Sequence, residues 1–468
     1  MAFLELIQDI LSTPAILVGL MALIGLALQK KPIEDIIRGS IKTVVGFLII
    51  GAGASFLQTG SLNVFGEIFN FAFNMQGVVP NNEAIVTLGL ETYARETALI
   101  MCFGMIANIL IARFSRLKYI FLTGHHTLYM AALLAVVLQV GGLNGWQLVV
   151  GGSLVLGFTM AFFPSIVQKT MTKIVKTDSL GFGHFGSVGY WFASVVGRAS
   201  GKKNKEQTTE DINFPKRLSF MRDTTVAISV TMTVFFLIVT GVAYYKPGFD
   251  ASILEGSNWF VWALTKGFSF AGAVYIVLAG VRLVIGEIVP AFKGIADKLV
   301  PNAKPALDCP VVFPYAPNAV LIGFLCSFVG GIVGLFMLAG LNRILPISLA
   351  LILPGVIPHF FCGATAGVFA NAEGGLKGCI IGSFAHGILI TFLPALLMPV
   401  LGALNFANTT FSDTDFTIVG IVLGNIANLL KNGTLLLIIC IIIFIIPIIF
   451  NFIKKDKNIN SNTNEKSL

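Results

Sequence analysis

Five histidines, His125, His126, His184, His359 and His386, stand in a chain of 468 residues that is poor in ionisable side chains. Two of them have glycine close by: His125 lies in Leu122-Thr-Gly-His-His-Thr127 and His184 in Gly181-Phe-Gly-His-Phe-Gly186. Glycine permits close approach, and an imidazole donates and accepts hydrogen bonds, so these positions suit recognition of a hydroxyl-rich molecule. The competing reading for each is a packing or helix-bridging residue, and for His126, His359 and His386 the structural role is favoured. Asp308 falls between Pro305 and Pro310, inside Pro301–Asn318, a stretch with five prolines. Each proline removes a backbone donor, which excludes a regular helix there. A carboxylate buried in such a place needs a partner or a substrate; its alternative role is a cap on a short helix. Glu287 follows Gly286, and Arg282 cannot face it at that spacing, so any ion pair must come from another element. Glu83, Glu91, Arg95 and Glu96 cluster ahead of an apolar run and read as an interfacial helix.

The elements that must position these groups are membrane helices. The chain is 56% hydrophobic and only 12% charged, with a mean hydropathy of +0.87. Soluble domains are about 25% charged, so lipid is the solvent over much of this surface. Forty Phe and 49 Gly fit that setting, since glycine lets membrane helices approach closely. A span needs roughly 20 apolar residues. Apolar stretches run over 13–28, 41–57, 97–112, 119–140, 148–167, 224–244, 260–285, 318–341, 345–357, 378–401 and 435–452, with a shorter one over 416–430. About ten to twelve spans are expected. The net charge of +8 comes from basic residues gathered in short loops, which the positive-inside rule places in the cytoplasm without any polyanion partner. Lys30 and Lys31 put the N-terminus outside; Lys454, Lys455 and Lys457 put the C-terminus in the cytoplasm.

The six cysteines form no CxxC pair, so their spacing supports neither a zinc nor a redox motif. No signal-peptide cleavage pattern opens the chain. No GxxxxGK[ST], HExxH or GxSxG motif is present, which removes those routes to ATP binding and hydrolysis. No cofactor and no metal ligand set is expected.

Two halves resemble each other. Phe121-Leu-Thr-Gly124, Gly141-Gly-Leu-Asn-Gly145 and Phe162-Phe-Pro164 are echoed in order by Phe361-Cys-Gly363, Gly374-Gly-Leu-Lys-Gly378 and Phe392-Leu-Pro394. An odd number of helices per half makes such repeats inverted, with the site near the midplane at interrupted helices. Residues 81–97, 180–197 and 301–318 are such interruptions, tolerated at membrane depth only where protein or a wet cavity surrounds them. The division is a first repeat half over 1–196, a cytoplasmic link over 197–223, a second half over 224–430, a last helix over 431–453 and a disordered tail over 454–468.

The chain resembles the ascorbate-type membrane IIC component (permease) of the phosphoenolpyruvate-dependent sugar phosphotransferase system. The residues that carry this likeness are Ile41-Lys-Thr-Val-Val-Gly-Phe47, Leu122-Thr-Gly-His125, Phe182-Gly-His184, Gly280-Val-Arg282 with Glu287 and Ala291-Phe292, Asp308-Cys309, Ala316-Pro-Asn-Ala-Val320, and Gly367-Val-Phe-Ala-Asn371 with Gly374-Gly375. The resemblance implies an all-α homodimer of eleven transmembrane helices per protomer. A substrate-holding core domain would move against a V-shaped scaffold domain at the dimer interface. It implies import of ascorbate or a related sugar, phosphorylated on entry by a phosphocysteine on a separate IIB protein that a IIA protein recharges. The chain itself would then be a non-catalytic membrane subunit. His125, His184 and Asp308 match the family's substrate motifs. Where the ascorbate members carry glutamines after both histidine motifs, this chain has Tyr129 and Met130, and Phe185. A changed pattern of hydroxyl reading follows. Asp308 or Glu287 is the candidate for taking a proton from the substrate. The alternative from the residues alone is a proton- or sodium-coupled secondary transporter that delivers its substrate unmodified.

Overall fold

The computed structural model describes residues 14–73, 77–201, 208–212, 220, 223–346, 348–402 and 409–464. Lys202 to Lys205 and Pro215, which mark the expected link between halves, lie outside the described residues. The helices in chain order are α1 (Pro14–Leu28), α2 (Ile33–Leu57), α3 (Asn63–Phe73), α4 (Asn82–Phe114), α5 (Gly124–Val140), α6 (Gly145–Val175), α7 (Ser187–Ser200), α8 (Thr224–Tyr244), α9 (Trp259–Leu299), α10 (Pro317–Ile344), α11 (Ala364–Gly402), α12 (Thr414–Leu430) and α13 (Gly433–Asn464). Six helical stretches among the described residues are long and apolar enough to cross a membrane, and shorter apolar helices accompany them. The chain is thus an all-α polytopic membrane protein. The last helix continues to Asn464, into the tail whose composition offers no apolar face to pack.

Local chemistry sets the boundaries. Asn81 caps α4 by accepting from the Ala84 amide at 2.7 Å, and Asp223 caps α8 by accepting from Val226 at 3.0 Å. Pro317 opens α10, where a missing N–H is harmless. Gly145 (φ 51°) starts α6 after a tight turn, and Gly375 (φ 61°) breaks α11 internally. Both φ values are ones that only glycine adopts freely. Leu345–Ile357, expected as a further apolar span, is instead mostly without regular structure among its described residues, with a two-residue strand and the start of a three-residue helical turn. Pro346 and Pro354 lie within it, and it is too short to cross a bilayer.

Helices pack along α2 and α9, α8 and α9, α4 and α6, α7 and α11, and α10 and α11. The α10–α11 crossing depends on small residues: a Cβ added at Gly387 would stand 1.9 Å from the Ser327 carbonyl oxygen, and one at Gly367 2.6 Å from Gly323 Cα. Without a hydrophobic force between helices in lipid, close backbone packing of this kind holds them together.

Six short strands interrupt the helices: β1 (Gly77–Pro80), β2 (Tyr119–Phe121), β3 (Gly181–Phe182), β4 (Lys304–Leu307), β5 (Leu351–Ile352) and β6 (Thr409–Thr410). They form two parallel three-stranded sheets, ordered β2-β4-β3 and β5-β1-β6. Tyr119 pairs with Lys304 and Phe182 with Leu307; Gly77 pairs with Leu351 and Pro80 with Thr410. Each half of the chain therefore lends one strand to the middle of a sheet whose outer strands belong to the other half. Corresponding strands of the two sheets lie about 230 residues apart in the chain. Outside the spans, Lys304 donates to Asp178 at 2.6 Å and ties β4 to the loop before β3. That bond, with one from Gln168, holds the Asp178 carboxyl below its usual pKa.

Candidate functional site

The interrupted stretches converge on one cavity of ≈ 350 Å³. The C-terminal end of every strand but one runs directly into a polar residue of its wall. β2 leads through Thr123 to His125 and His126 at the start of α5, β3 to His184, and β4 to Asp308. From the other sheet, β1 leads to Asn81, Asn82 and Glu83 at the start of α4, and β6 to Ser412 and Asp413 just ahead of α12. The remaining strand, β5, contributes Ile357 and Pro358. Carboxyl ends of parallel strands followed by helix N-termini are where open α/β sheets bind ligands, and helix N-termini add a favourable field for polar acceptors. The facing wall comes from α8 (Thr225, Ile228) and α9 (Ala271, Tyr275, Arg282).

His125 Nε2 stands 3.6 Å from Asp308 Oδ2, and His184 Nε2 is 3.9 Å from Asp308 Oδ1. Asp308 also accepts from the Cys309 amide at 2.7 Å, so it is both the cap of a short turn and a partner of two imidazoles. His184 is held from behind: its Nδ1 meets the Tyr190 hydroxyl at 2.8 Å, and Ser187 Oγ donates to its carbonyl at 3.0 Å. Tyr129 donates to Glu83 Oε1 at 3.3 Å. Phe185 is fully buried and stacks on Phe121 at 4.6 Å. It does not line the cavity; its backbone N–H donates to His126 Nδ1 at 3.1 Å. Glu287 is placed elsewhere, 3.2 Å from Lys42 Nζ on α2. That supplies the partner from another element which the Arg282 spacing required.

His126, read from sequence as structural, lines the cavity. Because its Nδ1 accepts the Phe185 amide, its proton sits on Nε2, 3.8 Å from Asp413 Oδ2. The ring lies against Phe416 at 5.2 Å and against His184 at 3.9 Å. His359 and His386 do not line this cavity: their Nδ1 atoms lie 2.8 and 3.4 Å from Ser327 Oγ on α10. Glu83, read as part of an interfacial helix, also lines the cavity.

Asp413 escaped the sequence reading altogether. It is nearly fully buried, accepts from Asn82 Nδ2 at 2.9 Å and Ser412 Oγ at 2.6 Å, and presents its other oxygen to His126 and His184 at 3.8 and 3.9 Å. It follows β6 by the same step at which Phe185 follows β3, about 230 residues earlier, and a comparison of those two stretches was the signal that could have found it. Asp415, two residues on, is spent on structure: its carboxylate accepts from the Ser187 and Val188 amides, both at 2.9 Å, and caps α7. The wall thus carries imidazoles that donate or accept and carboxylates that only accept. A molecule with several hydroxyls would satisfy both.

Comparison with known proteins bears on what that molecule is. The family model described as "EIIC-GAT: PTS system sugar-specific permease component" matches residues 9–415. The chain is also 26% identical, over 422 residues, to the "Ascorbate-specific PTS system EIIC component" of Mycoplasma pneumoniae. The match covers 80% of this chain and 63% of that relative, so the chain spans less than two thirds of the relative's length. With a helical membrane fold and a family match over most of its length, the chain belongs to the PTS system sugar-specific permease component family.

Proposed function

We propose that the chain imports ascorbate or a related sugar or sugar acid by alternating access. The sugar is bound in the cavity at the ends of the two sheets and phosphorylated by a separate IIB phosphocysteine protein that a IIA protein recharges. The observation that carries this reading is the convergence of His125, His184 and Asp308 on one cavity. These residues match the family's substrate motifs, and Asp413, His126 and Glu83 join them. Phosphoryl transfer needs mainly positioning and electrostatics, so the permease presents one hydroxyl toward the cytoplasmic opening and leaves the chemistry to its partner. Tyr129 holds Glu83, and Phe185 holds His126. Glu287 belongs to the α2–α9 contact.

The strand exchange between halves fits two inverted repeats, and the family resemblance implies an eleven-helix homodimer. In this reading the sheet ends with α6, α7, α10 and α11 form the moving core. The α2–α8–α9 wall belongs to the scaffold at the dimer interface. The cavity lies between the two, where rigid-body displacement would open it to either side. Basic loops place the N-terminus outside and the C-terminus in the cytoplasm.

The test is uptake of labelled ascorbate, pentitols, hexoses and sugar acids into cells with and without the cognate IIB protein. Phosphorylated product that disappears with IIB supports the reading. Free sugar that accumulates without IIB and collapses with the proton gradient would overturn it in favour of secondary transport.

A further inference from the structure

A second cavity, of ≈ 260 Å³, lies beside the polar one and shares only Asn81, Ile357 and Pro358 with it. Its wall is aromatic and aliphatic. Phe65 and Phe69 face it from α3, Met232 and Phe235 from α8, and Ile332 and Leu335 from α10. Spacings of three and four residues put each pair on one face of its helix. Pro80, Pro354 and Pro358 also line it and have no N–H to offer. Among the described residues, Asn81 is the only polar side chain in the wall, and its Oδ1 already accepts the Ala84 amide. A buried water needs two to four polar partners, and an apolar cavity of about 150 Å³ stays dry and takes up benzene. This one is larger and as poor in partners, so water is not its occupant.

The cavity has a mouth between α8 and α10, which touch through the rings of Phe235 and Phe328 at 5.2 Å. Two of its wall residues, Ile238 and Phe336, are 56% and 66% exposed. The exposed side chains around them are apolar as well: Val234 and Val242 on α8, Val329 and Met337 on α10. Since α10 is long and apolar enough to cross a membrane, the medium at that mouth is hydrocarbon.

We infer that this cavity is a binding site for an acyl chain of a membrane phospholipid, which enters between α8 and α10. The bilayer supplies that chain in excess, and filling the void restores dispersion contacts that its lining lacks when empty. In the reading above, α10 moves with the core while α8 and α9 belong to the scaffold. A chain held between them is squeezed or released as the core is displaced, one layer of side chains from the sugar. That consequence rests on the proposed function, whereas acyl binding itself does not.

The experiment places the full-length protein in vesicles of phosphatidylethanolamine and phosphatidylglycerol, doped with a phosphatidylcholine that carries a diazirine near the end of one acyl chain. Irradiation and peptide mass spectrometry then locate the adducts. Adducts are expected on Phe69, Met232 and Leu335, which are buried and out of reach of lipid on the outer surface. Adducts confined to the rim at Ile238 and Phe336 would overturn the site, and this reading needs no variant. Met232→Trp and Leu335→Trp narrow the cavity and should each cut interior labelling at least fivefold, with rim labelling and gel-filtration profile unchanged. Interior labelling that persists in both variants would also overturn it. So would Ile238→Cys chains that cross-link to each other while the interior stays free of lipid, since a second copy would then cover the mouth. A transported sugar should change interior labelling at least twofold. Interior labelling that no sugar alters supports the acyl site and sinks its link to core movement.

Discussion

The two sheets are built alike and equipped differently. The β2-β4-β3 sheet ends in His125, His126, His184 and Asp308, groups with free valence toward the cavity. The β5-β1-β6 sheet ends in Asn81, Asn82, Glu83, Ser412 and Asp413, most of which are engaged with one another. Asn82 and Ser412 clamp Asp413, Asn81 caps α4, and Glu83 receives Tyr129. Two sheets of like topology thus carry different ends, one with imidazoles facing the cavity and one whose carboxylate is clamped. The difference teaches that strand topology places groups, while their hydrogen-bond partners decide what they are free to do.

Breaking the first end should have the largest effect. His184→Ala removes a donor that faces both carboxylates and should weaken sugar binding at least a hundredfold, with size-exclusion behaviour unchanged. Equilibrium binding to the purified protein reads it, and unaltered affinity would remove His184 from the site. Next comes the clamp of the second end. Asn82→Ala leaves Asp413 short of a buried donor, a loss of about 1–3 kcal/mol, which should appear as a roughly tenfold weaker affinity and a lower melting temperature together. A drop in only one of these would mean that the two ends are not coupled. Smaller still, Tyr129→Phe removes one hydrogen bond to Glu83, about 0.5–1.5 kcal/mol, and should change affinity by two- to tenfold in a sugar panel while sparing sugars that make no contact with Glu83. The smallest effect belongs to the Lys304–Asp178 bridge outside the membrane. Asp178 is two-thirds exposed, so Asp178→Asn should move the melting temperature by no more than about 2 °C at neutral pH. Because its carboxyl titrates below the usual range, the stabilisation it gives is present above the ordinary carboxylate pKa. It is lost as pH falls through the lowered folded value, so the variant and parent should converge in acid.

Sequence legibility followed the physical range of each signal. Membrane helices were readable because a bilayer imposes a length and an apolar composition on contiguous residues. The three interruptions were readable because glycine, proline and polar residues cannot sit in lipid as regular helix. His184 and Asp308 stood out for that reason and His125 for its neighbouring glycine, and the cavity includes all three. Leu345–Ile357 misled because an apolar run too short for a span looks the same whether it becomes helix or buried strand. His126 was set aside in favour of a structural role. It stands at the first turn of α5, where both rings meet the cavity wall.

The sequence by itself determined the solvent, the helical class and the family to which the chain belongs, since all of these are written in local composition and ordered motifs. Only the tertiary structure decided that Glu287 answers Lys42, that the Phe185 backbone amide meets His126, and that Asp413 joins the cavity wall. Each of those outcomes depends on a partner between 59 and 331 residues away in the chain. No local pattern encodes a contact made by packing across two exchanged halves.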